Sequence, residues 1–223
     1  MKKFLVSICV VFILIFALGG YIFAKFKIMG HISRGTPISV YQSPHEALLI
    51  IDLQKDLTEP TGKHPINLQQ TDRVITNTNK LINIFNDAGR LIVYIKQIHE
   101  TGPIVSYFTK GALASGTKGA ELDSRVLVRG NNILEKKVMD AFSNPELGKI
   151  LAKHSVNRLY ITGLAADQCI DRTTKAALNR KYDVVVIEDA VIASSDQVVS
   201  SKRQEFKSLG VSVLKTDELK LLQ

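Results

Sequence analysis

The apolar residues of this chain fall into short runs that alternate with stretches of helical spacing. The runs are rich in Val, Ile and Leu and show no strict apolar–polar alternation, which is typical of strands buried on both faces of a sheet. Six such runs are present, at residues 47–52, 90–97, 131–136, 158–163, 183–189 and 210–215. We therefore expect six strands, most of them in the interior of the fold.

Helices are predicted between these runs. Their candidate ranges are residues 68–88, 145–154, 169–181 and 196–209. In the first range Val74, Leu81 and Phe85 fall close to helical spacing, and Gly89 follows as a C-terminal stop. Strands that alternate with helices predict an α/β, Rossmann-like fold: a six-stranded parallel sheet with helices on both faces and right-handed crossovers.

The N-terminus differs from the rest of the chain because residues 4–24 carry no charge. As a helix, about 21 residues at about 1.5 Å each would cover the hydrocarbon core of a bilayer. Residues 1–27 are therefore predicted to form a hydrophobic helix. It would be either an uncleaved single-pass anchor, with the domain outside the cytoplasm, or a secretory signal that is cleaved on export.

Charge and composition sharpen this division. The formal charge is +8, but residues 1–27 hold four lysines and no acid, so the remainder is at about +4. No basic stripe is visible, and we expect no nucleic-acid partner. Residues 28–45 contain two Gly and two Pro without apolar periodicity and are predicted to be a spacer, so the globular domain is expected over 46–223.

Three chemically active residues follow predicted strands. In a parallel sheet the ligand site lies beyond the carboxyl ends of the strands, where Asp52, Lys136 and Cys169 are expected. The only other cysteine, Cys9, lies in the leader. Cys169 opens a predicted helix, whose N–H groups and dipole favour a thiolate. A nucleophile, a base and a cation would make an acyl-transfer site.

Each of these residues also has a structural explanation. Cys169 could be a packing residue, Asp52 a loop cap, and Lys136 one of two solvated lysines beside Lys137. Spacing alone leaves both interpretations open.

Three sequence motifs resemble those of the isochorismatase-like cysteine hydrolases. ALLIIDLQKDL (47–57) is similar to the opening strand of that family, in which Asp is followed by x-Gln-x-Asp. ITGLAADQCIDRTTKAAL (161–178) resembles its nucleophile loop, with Thr four residues after Cys169. KKVMDAF (136–142) resembles its lysine motif, and the spacing to Phe142 selects Lys136 over Lys137.

The resemblance implies strand order 3-2-1-4-5-6 and an Asp52–Lys136–Cys169 triad that hydrolyses a small amide, ureide or carbamoyl compound through a thioester. It also implies a cis peptide at Leu164–Ala165, with the N–H groups of Ala165 and Cys169 as the oxyanion hole. Homo-oligomers are common in the family. The alternative is a catalytically idle binding or scaffold module at the membrane.

Four further site residues are predicted. Gln54, His99, Asp140 and Phe142 are the candidates for substrate contact. His99 could equally be an exposed strand-end residue, and Asp140 could pair with Lys136 or select a cationic group. No cofactor is expected, and no metal, because the His and Glu residues near the site lack the spacing of a ligand cluster.

Overall fold

A six-stranded parallel sheet organises the computed structural model, which describes residues 2–43, 45–100 and 102–221. The strands are β1 (His45–Ile51), β2 (Leu91–Gln97), β3 (Ile133–Lys136), β4 (Val156–Leu164), β5 (Asp183–Ile192) and β6 (Ser212–Leu214). Their order in the sheet is β3-β2-β1-β4-β5-β6. This confirms the predicted strand order and the parallel α/β fold.

The strand order creates a switch point at β1. From β1 the chain builds outward through β2 and β3 and then crosses to β4 on the opposite side. Loops after β1 and β4 therefore leave in opposite directions and open a crevice at the carboxyl edge of the sheet. Residues 47–51 of β1 are fully buried, which explains their unbroken apolar sequence.

Helices cover both faces of the sheet, as predicted. α3 packs on one face, while α5, α6 and α7 contribute to the apolar cluster on the other. Their bounds are Leu68–Asp87 for α3, Pro145–Lys153 for α5, Cys169–Asn179 for α6 and Asp196–Ser208 for α7. Each begins at the predicted residue and ends one or two residues early, which is ordinary variation at helix ends.

Short helices in the loops were not predicted. They are α2 (Lys55–Thr58), α4 (Pro103–Thr109) and three 3₁₀ turns at Lys118–Ala120, Ala141–Ser143 and Thr216–Glu218. At three to seven residues, none is long enough for an apolar period to show in the sequence.

The N-terminal helix α1 spans Lys2–Met29. Within the part of the chain that the structure describes, no helix combines the length and apolar character needed to cross a bilayer. The side chains of residues 2–11 and 14 lie outside the described part.

Residues 30–43, predicted as a spacer, lie against the domain without regular secondary structure. Ile32 and Ile38 pack on the apolar cluster that contains Cys169. The backbone N–H of Ile38 donates a hydrogen bond to the carbonyl oxygen of Arg180 at 2.8 Å. This segment is therefore attached to the domain through Ile32 and Ile38.

Candidate active site

Asp52, Lys136 and Cys169 converge at the carboxyl edge of the sheet. Asp52 directly follows β1 and has a left-handed backbone conformation, with φ of 58°. Its N–H donates to the carbonyl oxygen of Ile95 in β2, which fixes the turn. Lys136 ends β3, and Cys169 is the first residue of α6.

The nucleophile loop approaches β1 closely because residue 163 is glycine. A Cβ at Gly163 would lie 2.0 Å from the carbonyl oxygen of Ile51, and its φ of 115° disfavours any side chain. The absence of a side chain here brings the loop before Cys169 against the strand that carries Asp52.

The Lys136 ammonium joins the three residues. Its Nζ donates to Asp52 Oδ2 at 2.8 Å, to Gln97 Oε1 at 2.7 Å and to Cys169 Sγ at 3.2 Å. An ammonium has three N–H groups, so all of them are used. Both charged side chains are buried, at 0% exposure for Lys136 and 2% for Asp52. The cation is therefore held in one position between the carboxylate and the sulfur.

Gln97 is a site residue that was not predicted. It ends β2, so the same strand-end rule that identified its neighbours could have found it. Its polar side chain at the end of an apolar run was the available signal. Because its Oε1 accepts from Lys136, Gln97 positions the ammonium.

Electrostatics keep the sulfur protonated at rest. Burial, reinforced by the Asp52 carboxylate and opposed by Lys136, raises the pKa of the Cys169 thiol to about 12. The expectation that a helix start would favour a thiolate is therefore wrong for the resting site, since desolvation outweighs it. Burial lowers the pKa of Lys136, but Asp52 and Cys169 reverse that effect and leave it raised, so the lysine is charged.

One carboxylate oxygen remains available. Asp52 Oδ1 is buried and has no hydrogen-bond partner among the residues that the structure describes. A buried acceptor without a partner is costly in a folded protein and frequently marks a functional position. Oδ1 is thus an unused acceptor on the carboxylate that Lys136 holds.

The loop before Cys169 has the geometry that the resemblance implies. The Leu164–Ala165 peptide is cis. Ala166 N–H donates to the carbonyl oxygen of Ile192 at 2.9 Å, whereas within the described chain neither Ala165 N–H nor Cys169 N–H has a backbone acceptor. These two groups remain the candidates for an oxyanion hole.

The side chain of Gln54, a predicted substrate contact, is bonded to backbone groups of the protein. Its Nε2 donates to the backbone oxygens of Gln97 and Ala120, and its Oε1 accepts from Gln97 N–H, all within 2.9 Å. The side chain is fully buried, and its polar atoms are occupied. Gln54 therefore secures the loop at 110–120 to the end of β2.

Asp140 and Phe142 also make contacts within the protein. Asp140 Oδ1 accepts from Phe142 N–H and Oδ2 from Ser33 N–H, both at 2.8 Å, so the carboxylate caps a 3₁₀ turn and holds residues 30–43. The Phe142 ring packs 5.6 Å from that of Tyr182 and beneath the Arg180 guanidinium. In this structure Asp140 thus serves as a cap and Phe142 as a packing residue, and their predicted contact with substrate stays a prediction.

His99 faces a cavity of about 330 Å³. Burial and the Lys136 charge hold its pKa below the usual value despite a contact with the carbonyl oxygen of Ala112, so the ring is neutral at pH 7. Its Nδ1 lies 3.0 Å from that oxygen and must carry the proton. Of the four predicted contact residues, His99 is the one that the structure leaves facing an open space.

The site therefore has a thiol and a carboxylate that both contact one ammonium at the switch point of a parallel sheet. This fold and these groups define a hydrolase as the class to compare. A model of the isochorismatase domain matches residues 46–218. The chain belongs to the isochorismatase family.

Two relatives illustrate the similarity in sequence. The uncharacterized isochorismatase family protein YddQ of Bacillus subtilis is 29% identical over 153 residues, covering 68% of this chain and 80% of that protein. The secreted isochorismatase effector Isc1 of Verticillium dahliae is 30% identical over 158 residues, covering 70% and 77%.

A solved structure extends the similarity to three dimensions. The pyrazinamidase of Pyrococcus horikoshii, in complex with zinc, superposes with a TM-score of 0.68 and 28% identity over 77% of this chain and 99% of that one. In the described residues of the present chain, no three His, Cys, Asp or Glu side chains are grouped so as to hold a metal. The residues near His99 therefore do not fit a metal site.

Proposed function

We propose that this protein is a cysteine-dependent amidohydrolase that acts on a small amide, ureide or carbamoyl compound. The observation that carries the proposal is the contact of Lys136 Nζ with both Asp52 and Cys169 in a buried site. The pyrazinamidase similarity supports amide chemistry, since that relative is named for an amide substrate.

The first step would form a tetrahedral intermediate on the Cys169 sulfur. Because the thiol has a pKa of about 12, it would lose its proton only as the sulfur attacks the carbonyl carbon. Asp52 Oδ1, buried without a partner, would take that proton. The negative oxygen of the tetrahedral intermediate would be stabilised by the N–H groups of Ala165 and Cys169.

The second step would release product. The protonated Asp52 would give its proton to the leaving nitrogen, so that the C–N bond breaks and ammonia or an amine departs. Water would then attack the thioester with Asp52 again as base, breaking the C–S bond and returning the proton to the sulfur. Lys136 would stay charged throughout and hold the carboxylate in place.

The test is ammonia release from a panel of small amides by the full chain. We expect turnover by the native protein and a loss of at least about 10²-fold in Cys169→Ala, since that variant has no nucleophile. Full activity of Cys169→Ala would refute the mechanism. Cys9→Ala is the matched control, because it removes the other thiol of the chain and should keep activity.

A catalytically idle binding module is the second candidate, and one observation favours it. A thiol with a pKa of about 12 is unreactive by itself, as a packing cysteine would be. Labelling with a thiol reagent at neutral pH is therefore expected to be slow in both cases. Acid quenching during turnover, followed by mass spectrometry, separates them, because only the enzyme would carry an acyl group on Cys169.

A further inference from the structure

The C-terminal end of α1 is attached to the loop that follows Lys136. Met29 at the end of this helix accepts a hydrogen bond on its carbonyl oxygen from Met139 N–H at 3.0 Å. Four residues on, Ser33 N–H donates to Asp140 Oδ2. Met139 and Asp140 belong to the loop that follows Lys136, so the helix end is connected directly to the segment that carries the catalytic lysine.

The 330 Å³ cavity lies between this helix and the domain. Its size is that of a small-ligand pocket. His99, whose pKa responds to the charges of Lys136 and Asp52, lines one part of it together with residues 137–138, which directly follow Lys136. The apolar side chains that complete it come from three elements: Ile22, Phe26 and Met29 of α1, Val105 and Phe108 of α4, and Val138.

Charged groups of this cavity are paired with one another at its rim. Lys137 Nζ bonds Glu100 Oε1 at 2.7 Å, and both side chains are exposed. Lys25 of α1 adds its positive charge near the same glutamate. An interior of aliphatic and aromatic groups with a hydrated, internally paired rim fits a ligand with an apolar body.

We propose that Ile22, Phe26 and Met29 of α1 form a specificity wall, and that the substrate is an amide of an apolar carboxylic acid. The reacting carbonyl would lie at Cys169, and the alkyl or aryl group would extend past His99 toward Phe26. The proposal rests on the amidohydrolase function and narrows its substrate class. It also makes α1 part of the site.

The experiment measures kcat/KM of the full chain for acetamide, butyramide and hexanamide by ammonia release. Burial of each added methylene is expected to raise kcat/KM about fourfold in the native protein. Phe26→Ala should lower the ratio of kcat/KM for hexanamide to that for acetamide about tenfold, and Ile22→Ala should also lower it. Circular dichroism verifies that each variant is folded.

Phe23→Ala is the matched control. Phe23 lies on the same helix, is 71% exposed and does not line the cavity, so the ratio should be unchanged. A native ratio near one, or an equal change in the Phe26 and Phe23 variants, would overturn the proposal.

Binding distinguishes this proposal from the proposed function. The full-length Cys169→Ala chain should bind hexanamide more tightly than acetamide in a calorimetric titration, and adding Phe26→Ala should remove the preference. Such binding without any ammonia release by the native chain would support the pocket and refute the amidohydrolase. Ammonia release without a chain-length preference would support the amidohydrolase and refute the specificity wall.

Discussion

Two buried aspartates, Asp52 in the proposed active site and Asp171 in an outer ion-pair network, are surrounded by cations in different ways. Each side chain is 2% exposed and contacts lysine. In the outer network, formed by Asp171, Arg172, Lys175, Lys202 and Glu205, Asp171 Oδ1 accepts from two lysines and Oδ2 from arginine. At the site, Asp52 has one cation, and its Oδ1 has no partner among the described residues.

The difference lies in how completely each carboxylate is satisfied. Asp171 has three cationic donors, so little is left for a further ligand. Lys175 and Lys202, which contact Asp171, are 28% and 16% exposed, so water also solvates these charges. Asp52 and Lys136 depend on each other inside the protein. A pair of this kind is easily disrupted by removal of one partner, and its vacant acceptor is available for proton transfer.

Among the substitutions predicted here, Lys136→Met should lower the free energy of unfolding most. It leaves the Asp52 charge buried without its cation, so we expect a loss of about 3–5 kcal/mol in the free energy of unfolding at pH 7. Lys202→Met should cost at most about 1 kcal/mol, because Asp171 keeps two donors and the site is partly solvated. Urea unfolding of both variants measures the difference.

Activity gives the same comparison a second readout. Lys136→Met should reduce amide turnover strongly, since the carboxylate is no longer held, whereas Lys202→Met should keep native turnover. Equal destabilisation by the two variants would show that the number of cationic donors to Asp52 and Asp171 does not determine how much each region depends on one lysine.

Asp52→Asn tests whether the carboxylate works as a base or only tunes the thiol. Asp52 raises the pKa of Cys169 while Lys136 lowers it, so removing the negative charge should let the thiolate form at lower pH. Turnover should nevertheless fall by about 10²–10⁴-fold, because the proton acceptor is gone. Ultraviolet titration of the thiolate in the Cys9→Ala background gives the pKa.

In Asp52→Asn we therefore expect more thiolate at neutral pH but lower turnover. An Asp52→Asn variant with more thiolate at neutral pH and higher turnover would mean that a preformed thiolate, rather than proton transfer to Asp52, drives the reaction.

Much of the fold could be predicted because local pattern and sheet position agree. The runs that predicted β1 and β2 are buried by neighbours on both sides, so their apolar sequence is continuous. Edge strand β6 is shorter than its run, Ser212–Leu214 against 210–215, since only one neighbour supports it. The docking of residues 30–43 could not be predicted, because two isoleucines without periodicity give no signal of the surface they meet.

Site residues could be predicted where the end of a strand determines where they lie. They were harder to predict where side-chain contacts determine what a residue does. Asp52, Lys136 and Cys169 meet because parallel strands end at one edge. Gln54 and Asp140 lie near that edge as well, but their polar atoms are used by backbone groups distant in sequence. Such pairing depends on the folded loops, so sequence spacing could not distinguish a scaffold residue from a contact residue.

Glu205→Gln should have the smallest effect, and it concerns acid stability. Hydrogen bonds from Lys175 and Lys202 lower the pKa of Glu205 to about 2. A depressed pKa stabilises the fold above the unfolded value near 4.5, and this stabilisation is lost as pH falls toward 2. Because the side chain is 37% exposed, solvent screening limits the contribution to at most about 1 kcal/mol.

Urea unfolding at several pH values between neutrality and pH 3 measures this contribution. The difference in the free energy of unfolding between the native and Glu205→Gln chains should narrow on acidification, without a change in turnover at neutral pH. A gap that stays constant with pH would assign the stabilisation to packing of the side chain instead of its charge.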